Sequence, residues 1–156
     1  MTVATIRQAR LAEVEALNAL CVRSKAHWGY DAEFMARCVP HLRVSPEAIR
    51  KGLAFVALAD GRPVGVHQVS VSGPTADLDL MFVDPPAIGT GIGRRLYRHA
   101  EDIALAAGCR ELSIVADPFA KAFYAAMGAL HVEDVPSDAI PGRMLPRYVQ
   151  ALRSPR

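Results

Sequence analysis

The sequence predicts a single mixed α/β domain, and three observations lead to that fold class. The chain has 156 residues, of which 51% are hydrophobic, so it is long enough to bury a real core. Segments with the two-residue alternation of strands and segments with helical spacing follow one another to the C-terminus. The sequence contains no internal repeat, low-complexity segment or linker, so the predicted domain covers residues 1–156.

Local signals define the first elements. "ATIRQAR" alternates as a short strand, and apolar residues at helical spacing from Leu11 to Ser24 predict a helix after it. "DAEFMARC" opens with Asp31, a favourable N-cap, and predicts a second, short helix. "SPEAIRKG" combines a serine cap, proline at the first helical position, an acidic first turn and a final glycine, which predicts a third helix.

The middle of the chain is predicted to form three strands. "LAFVALA" and "PVGVHQVSV" are joined by "DGR", a hairpin signal, and "GPT" then turns the chain into "ADLDLMFV". Alternation in this last strand predicts two faces, one with Asp77, Asp79, Met81 and Val83 and the other with Leu78, Leu80 and Phe82. Two carboxylates on one face of a central strand indicate a functional site.

A glycine-rich stretch, "AIGTGIGRRL", follows this strand and begins a helix that ends at Gly108. The apolar face of that helix is formed by Ile92, Leu96, Ala100, Ile103, Ala104 and Ala107. Gly89, Gly91 and Gly93 therefore lie at its N-terminus, where free backbone N–H groups and the helix dipole favour an anion. Because glycine has no Cβ to block a diphosphate, and Arg94 adds positive charge, the stretch predicts a phosphate-binding loop.

The spacing of these glycines excludes the commonest nucleotide loops. A Walker loop needs G-K-[ST], which the sequence lacks. A Rossmann loop needs G-x-G-x-x-G at the first strand–helix turn, whereas here Arg94 stands where the last glycine belongs and several strands come first. A net charge of only +2, with basic residues spread along the chain, argues against a nucleic-acid binder.

Two segments resemble a known family. "FVDPPAIGTGIGRRL" resembles the acyl-CoA pyrophosphate loop of the GNAT superfamily, the acetyl-CoA-dependent N-acetyltransferases, although Ile88 stands where that family usually has Gln or Arg. "ADPFAKAFYAAMGA", further along the chain, resembles the family's last helix. The resemblance covers essentially the whole chain. It implies a mostly antiparallel mixed sheet of six to seven strands flanked by four to five helices, with two strands splayed at the acyl-CoA site.

The resemblance implies acetyl-CoA as the acyl donor and no metal. The glycine loop would hold the diphosphate, and free N–H groups of the splayed strand would bind pantetheine and polarise the thioester carbonyl. The implied cofactor-binding residues are Met81, Phe82, Val83, Ile88, Gly89, Thr90, Gly91, Ile92, Gly93, Arg94, Asp117 and Tyr124.

Tyr124 is the predicted general acid, because it matches the family's tyrosine beside the thioester sulfur. An ordinary tyrosine pKa near ~10 is suited to protonating a thiolate. The residue is predicted to lie beside, and not on, the core-facing stripe of its helix, which is formed by Phe119, Ala122, Phe123, Ala126 and Met127.

Asp79 is the predicted general base, because it lies nearer the thioester end of its strand than Asp77. Family members often carry an acidic residue at about this point, acting directly or through water. His67, on the preceding strand, is the rival base. The sequence leaves Asp79, Asp77, His67 and a water open as the group that takes the proton.

The segment between the first two helices is expected to border the acceptor cleft in this fold, because its rings supply flat apolar surface with polar tips. The predicted substrate-binding residues are His27, Trp28, Tyr30, Asp77 and His67. "SDAIPGRMLPRY" predicts a loop between the last two strands that covers the same cleft, with Arg143 as a candidate ligand for a carboxylate.

These features predict an acetyl-CoA-dependent N-acetyltransferase acting on the primary amine of a small molecule by direct transfer. The alternatives are a protein or peptide N-acetyltransferase, which would need a long open groove, and a non-catalytic acyl-CoA-binding module. The N-terminus lacks a signal-peptide core, no apolar run reaches the ~18 residues of a membrane span, and the three cysteines are widely spaced. We therefore expect a cytoplasmic protein without nucleic-acid or membrane partners, and a homodimer is left open.

Overall fold

The computed structural model describes residues 4–153 and confirms the predicted single α/β domain. The strands are β1 (Thr5–Gln8), β2 (Ala54–Ala59), β3 (Arg62–Ser72), β4 (Thr75–Val83), β5 (Glu111–Val115), β6 (Leu130–Pro136) and β7 (Met144–Ala151). They form one seven-stranded sheet in the order β1-β2-β3-β4-β5-β7-β6. Only β4 and β5 pair in parallel among these described strands, so the predicted mostly antiparallel mixed sheet is confirmed.

Within the described residues, five α-helices flank the sheet: α1 (Val14–Ala26), α2 (Ala32–Cys38), α3 (Pro46–Arg50), α4 (Ile92–Ala106) and α5 (Lys121–Ala126). Two predicted caps are confirmed, because the Asp31 carboxylate and the Ser45 hydroxyl accept the backbone N–H groups three residues on, at 2.8 and 3.2 Å. The helix predicted from Leu11 begins later, at Val14, since Leu11–Glu13 form a 3-10 turn.

The helices cover the two faces of the sheet in two groups. Buried residues of α4 and α5, such as Tyr97, Ala100 and Tyr124, pack against β4 and β5 on one face. Buried residues of α1 and α2, such as Leu17, pack with Leu80 of β4 on the other face. The central strands are therefore covered on both sides, which explains their nearly continuous apolar sequences.

Strands β4 and β5 separate before either of them ends. Their parallel pairing runs only from Thr75 with Glu111 to Asp77 with Ser113. β4 then continues to Val83 without β5 as a neighbour, so the predicted splay between two central strands is confirmed. The opening faces the carboxyl ends of both strands, where open α/β sheets commonly bind ligands.

A β-bulge in β4 changes which side chains share a face. Leu78 lies opposite Val69 and Leu80 lies opposite Gln68, so Asp79 is an extra residue without a partner on β3. The bulge resets the alternation: Leu78, Met81 and Val83 pack on the α4 face, whereas Leu80 and Phe82 pack on the α1 face. The prediction that Met81 and Val83 share the face of the two aspartates is therefore wrong.

The core-facing stripe predicted for the last helix is also wrong. Residues Pro118–Ala120 form a 3-10 turn and α5 begins only at Lys121, which rotates the helix relative to the prediction. Tyr124 is consequently a core residue with 6% exposure, whereas Phe119 is 57% exposed. Ala122 and Ala126 are exposed as well, and Met127 is buried as predicted.

All three cysteines, Cys21, Cys38 and Cys109, are buried and free. Among residues 4–153, no helix combines the length and the apolar character that crossing a membrane requires.

Candidate active site

A cavity of about 540 Å³ occupies the gap between β4 and β5. Its walls are β4 from Leu78 to Val83, the end of β5 at Ile114 and Val115, and the two residues that follow β5. It extends from the glycine loop to the end of α1. Most of the lining side chains are apolar. The titratable groups on its wall are Lys25, Asp79, Arg94, Asp117 and Tyr124.

The glycine loop presents open backbone amides at one end of this cavity. Gly89 and Gly91 have φ angles of +81° and +88°, which favour glycine strongly. The amide of Arg95 donates to the carbonyl of Gly91 at 3.2 Å, so the amides from Gly91 to Arg94 precede the first helical bond. A Cβ added at Gly89 or Gly91 meets no protein atom within 4 Å, so the space in front of them is open.

In two predicted cofactor-binding residues of this loop, Thr90 and Ile92, the side chain already interacts with the protein. The amide of Thr90 donates to the Ala87 carbonyl at 3.3 Å, and its hydroxyl donates to the same oxygen. The Ile92 side chain is buried in the core, so only its backbone amide is available at the helix start. Ile88, Gly93 and Arg94 line the cavity, as the sequence predicts for cofactor-binding residues.

The free edge of β4 offers two backbone groups to the gap. The amide of Asp84 donates to the carbonyl of Val64 at 2.8 Å, which makes that pair a hydrogen-bonded pair of the antiparallel ladder with β3. Because such pairs alternate, Phe82 bonds to β3, and the N–H groups of Met81 and Val83 point away from β3 into the gap. Of the three residues predicted to offer a free amide, Met81 and Val83 thus have N–H groups that face the gap, and Phe82 faces β3.

Asp79 lies at the bulge, on the wall of the cavity near the point where β4 and β5 separate. Asp79 as a whole is solvent-exposed, but partial desolvation of its carboxylate and the nearby Asp77 carboxylate raise the pKa of Asp79, and hydrogen bonds from Ser70 and Gln68 partly oppose the shift. The Ser70 hydroxyl donates to Asp79 Oδ1 at 3.1 Å. A carboxylate with a raised pKa, held in place by hydrogen bonds, has the properties of a general base.

Tyr124 lines the cavity from the α5 side, and its ring packs against Tyr97, Phe123 and Tyr148. Burial, followed by the charge of Asp117, raises the pKa of Tyr124 above its ordinary value. The hydroxyl therefore keeps its proton at neutral pH. It is suited to donating a proton or a hydrogen bond and not to removing one.

Asp117 is the centre of a polar cluster that the sequence did not predict. Lys25 Nζ donates to its carboxylate at 2.7 Å, and the Tyr30 hydroxyl lies 2.9 Å from both carboxylate oxygens. Arg143 Nη2 donates to the Tyr30 oxygen at 2.6 Å. Burial raises the pKa of Asp117, but hydrogen bonds from Lys25, the Phe119 amide and Tyr30 outweigh it, so the pKa is lowered.

Three predicted substrate-binding residues lie away from the cavity. His67 is fully buried between β3 and α4, where its Nε2 lies 2.8 Å from Nδ1 of His99. Burial, then His99, lower the pKa of His67 to about 3. The structure therefore contradicts His67 as a substrate ligand or base, because solvent and substrate do not reach it. His27 and Asp77 are exposed and are not part of the cavity wall.

Trp28 and Tyr30, both predicted to bind the acceptor, differ in whether they line the cavity. Trp28 lines the cavity and stacks on Phe119, with ring centroids 5.3 Å apart. Tyr30 stacks on Phe34 and holds Asp117, so it supports the wall. Among the described titratable residues of the cavity wall, Lys25 is the one that the sequence did not predict. Its partner is 92 positions away, so no local signal identifies it.

The residues present fit coenzyme A. A diphosphate needs N–H donors and positive charge, which the start of α4 and Arg94 offer. The pantetheine arm carries amide groups, which pair with strand-edge groups such as those of Met81 and Val83. Among residues 4–153, no group of three or more His, Cys, Asp and Glu side chains is arranged to hold a metal ion.

This combination of an open glycine loop and a splayed central sheet defines an acyl-CoA-dependent transferase fold. A family model described as the acetyltransferase (GNAT) family matches residues 21–129. The chain therefore belongs to the GNAT acetyltransferase family.

Solved structures share the whole fold at low sequence identity. PaiA N-acetyltransferase from Thermoplasma acidophilum, in complex with coenzyme A, is 17% identical with a TM-score of 0.80 over 96% of this chain and 99% of that one. A ribosomal-protein alanine N-acetyltransferase from Escherichia coli is 18% identical, with a TM-score of 0.71 over 99% and 97% of the two chains.

A third structure is a longer protein. N-acetylglutamate synthase from Neisseria gonorrhoeae, complexed with coenzyme A and N-acetyl-glutamate, is 19% identical with a TM-score of 0.69, and the match covers 99% of this chain and 36% of that one. No curated protein sequence matches the chain.

Proposed function

We propose that the protein is an acetyl-CoA-dependent N-acetyltransferase that acts by direct transfer on the primary amine of a small molecule. The observation that carries this proposal is the composition of one cavity. It joins the open amides at the start of α4, the unpaired edge of β4 and the carboxylate of Asp79. These are a site for a diphosphate, a site for an extended arm and a base, in that order along the gap.

Bound acetyl-CoA would supply the acetyl group as an activated thioester. The amides from Gly91 to Arg94 would hold its diphosphate, and the N–H groups of Met81 and Val83 would orient its arm along β4. The apolar walls of the cavity exclude water from the reacting groups, which strengthens each of these hydrogen bonds.

Two side chains account for the proton movements. An amine acceptor is mostly protonated at neutral pH, and Asp79 would accept the proton that it must lose before it reacts. Tyr124 holds a proton at its hydroxyl oxygen and would give it to the sulfur side of the cavity. The nitrogen loses a second proton as the amide forms and the C–S bond breaks, and this proton would return to Tyr124 through water. Each turnover thus releases one proton to solvent, the one that Asp79 accepted.

A small-molecule acceptor is supported by the closure of the cavity at the end of α1. Tyr30 and Lys25 are tied to Asp117, and Arg143 ties the β6–β7 connection to Tyr30. A protein substrate would need a long open groove at this place. Solved relatives include enzymes of both kinds, so family membership alone leaves the acceptor undefined.

A thermal-shift screen tests the proposal without knowledge of the acceptor. Coenzyme A and acetyl-CoA are expected to raise the melting temperature, because a ligand at 100 times its Kd stabilises a protein by about 2.7 kcal/mol. NAD and ATP serve as controls. A thiol-release assay with an amine library then measures transfer. Stabilisation by NAD or ATP and not by coenzyme A contradicts the proposal, and binding of coenzyme A without thiol release supports the non-catalytic module instead. The buried free cysteines support the expectation of a reducing, cytoplasmic location.

A further inference from the structure

A second cavity, of about 320 Å³, lies beside the first and has no role in the arrangement described so far. It is bounded by α3 and the residues that follow it, by β3 from Gln68 to Val71, and by Asp79. Asp79 is the one residue, among those that the structure describes, that lines both cavities. The two cavities therefore meet at Asp79.

We propose that this second cavity is the acceptor site, and that it takes a small polar amine whose ammonium group approaches Asp79 from the α3 side. The proposal rests on the proposed acetyltransferase function and adds to it a binding site and a class of ligand. It also moves the acceptor away from His27, Trp28 and Tyr30, where the sequence analysis placed it.

Asp79 is accessible from two sides. A base that serves the reaction must touch the acceptor while the acyl donor occupies its own cavity. Asp79 satisfies this requirement because the bulge leaves it without a partner on β3 and exposes it to both spaces. The acceptor thus needs no path through the gap that the arm of the donor would fill.

The two cavities differ in charge. Apart from Asp79, the first cavity carries Lys25 and Arg94 against Asp117, an excess of one positive charge that suits the diphosphate of the donor. The second cavity balances Glu47 against Lys51 and, among its described lining residues, has no excess positive charge. The walls of the second cavity therefore do not repel an ammonium group that approaches Asp79 from the α3 side.

The wall of the second cavity is polar. Ser45 and Ser70 supply hydroxyl groups, and Gln68 is buried with its Oε1 accepting the Ser45 amide at 2.8 Å. Ser70 donates to Asp79 and fixes the direction of its carboxylate. By contrast, the end of the first cavity beside α1 presents the rings of Trp28 and Phe119, and its charged groups, Lys25 and Asp117, already pair with each other. A polar amine is better matched by the second wall, and the volume is at the small end for a ligand site.

The experiment maps binding by NMR in protein saturated with coenzyme A. The probe is ethanolamine, with ethylene glycol as its uncharged counterpart. Trp28 is the only tryptophan of the chain, so its indole N–H reports on the first cavity, and the amides of residues 68–71 report on the second. Ethanolamine is expected to shift the resonances of residues 68–71 and leave the Trp28 indole unchanged, whereas ethylene glycol shifts neither.

A matched pair of variants tests the electrostatic argument. Glu47 and Glu33 both lie in the first turn of a short helix, both are mostly exposed and both pair with an arginine of the same helix. Glu47→Lys is expected to raise the Kd of ethanolamine about fivefold at low salt, and Glu33→Lys is expected to leave it unchanged.

Each outcome decides between the two cavities. Shifts at Trp28 without shifts at residues 68–71, no shift at either place, or equal effects of the two variants would overturn the proposal. Failure of the proposed function is distinguished in the same sample, because coenzyme A would then leave the amides of residues 89–94 unshifted.

Discussion

The two parallel strands at the centre of the sheet, β4 and β5, are each connected to a helix by a segment that we call the first and the second junction. The two junctions have similar sequences and turns and differ in one respect. β4 is followed by Asp84 and Pro85, a 3-10 turn and helix α4. β5 is followed by Asp117 and Pro118, a 3-10 turn and helix α5. After the turn, the first junction continues into glycines with open amides, whereas the second continues directly into its helix.

Helix α1 holds both junctions through two cations that are two residues apart. Arg23 pairs with Asp84 at 3.0 Å, and Lys25 pairs with Asp117 at 2.7 Å. The Arg23 side chain is 52% exposed, whereas the side chains of Lys25 and Asp117 are each 12% exposed. The ion pair at the first junction is thus the more exposed of the two, and the backbone amides beside it remain open to an anion. At the second junction, the charge of Asp117 is already neutralised by a mostly buried protein side chain. Two similar turns therefore differ in function because different side chains of α1 pair with them.

The largest effect is expected between the junctions, at Asp79. The junctions are expected to bind acetyl-CoA, whereas Asp79 is expected to remove the proton of the acceptor. Asp79→Asn should therefore lower kcat about 10²- to 10³-fold and change the Kd of acetyl-CoA by less than about twofold. Because the pKa of Asp79 is raised, activity of the wild type should fall on acidification at a pH above that of an ordinary aspartate. This acidic limb should be absent from the variant.

Asp77→Asn is the control for this prediction, since Asp77 lies on the same strand but outside the cavity wall. It should keep the acidic limb and move it to lower pH, because the variant lacks the Asp77 charge that helps to raise the pKa of Asp79. An acidic limb that persists in Asp79→Asn would remove this residue as the base.

The open junction is tested by a valine at Gly91. Gly91→Val should weaken coenzyme A binding about 100-fold, because the branched side chain projects into the open space where we place the diphosphate. Gly108→Val is the matched control, since Gly108 follows the other end of α4, has the same φ of +88° and also has no atom within 4 Å of its added Cβ. Both variants should lose similar stability, and calorimetric titration should show weakened binding only for Gly91→Val. Equal binding by the two variants would contradict a diphosphate at this junction.

The second junction supplies the helix that carries Tyr124. Tyr124→Phe should lower kcat about 10- to 100-fold and leave the Kd of acetyl-CoA unchanged, because it removes only a group that acts as charge develops on sulfur. Tyr97→Phe is the control: this tyrosine is also buried in the same cluster, and its hydroxyl donates to Gln150 at 3.0 Å, away from the cavity. If both variants lose the same activity, the effect belongs to packing of the cluster. A loss of acetyl-CoA affinity alone would make Tyr124 a cofactor contact.

Local signals predicted much of the fold and of the open junction. The caps of α2 and α3, the hairpin at "DGR" and the helix start at the glycines depend on a few neighbouring residues, so the sequence shows them directly. The splay of β4 and β5 came from the family resemblance and is confirmed.

One error is local, because the 3-10 turn of Pro118–Ala120 rotates α5, and the other errors involve contacts between different segments of the chain. The bulge at Asp79 depends on how β4 pairs with β3, and it reverses the faces of every residue after it. The place of His67 depends on His99, 32 residues away, and the neutralisation of Asp117 depends on Lys25, 92 residues away. A period or a spacing within one segment carries no information about such partners.

The smallest effect is expected from the second junction, and it separates the two aspartates. Asp117→Asn keeps the size of the side chain and an acceptor for Tyr30 but leaves the buried Lys25 without its counter-charge. We expect a loss of about 1.5–3 kcal/mol in the free energy of unfolding at pH 7. Asp84→Asn removes an exposed pair and should cost no more than about 1 kcal/mol.

The pH dependence of this loss has a definite sign. The pKa of Asp117 is lowered in the folded protein, so its contribution is complete above the unfolded value of about 3.9 and is lost as the pH falls through the folded value. The stability difference between wild type and Asp117→Asn should therefore be constant from pH 7 to about pH 5 and shrink below about pH 4. Denaturant unfolding at several pH values measures it. Because Asp117 also fixes the edge of the gap to α1, the KM for acetyl-CoA should rise a few-fold while kcat changes little. A difference that grows on acidification, or equal losses in Asp84→Asn, would mean that the two junctions are held alike.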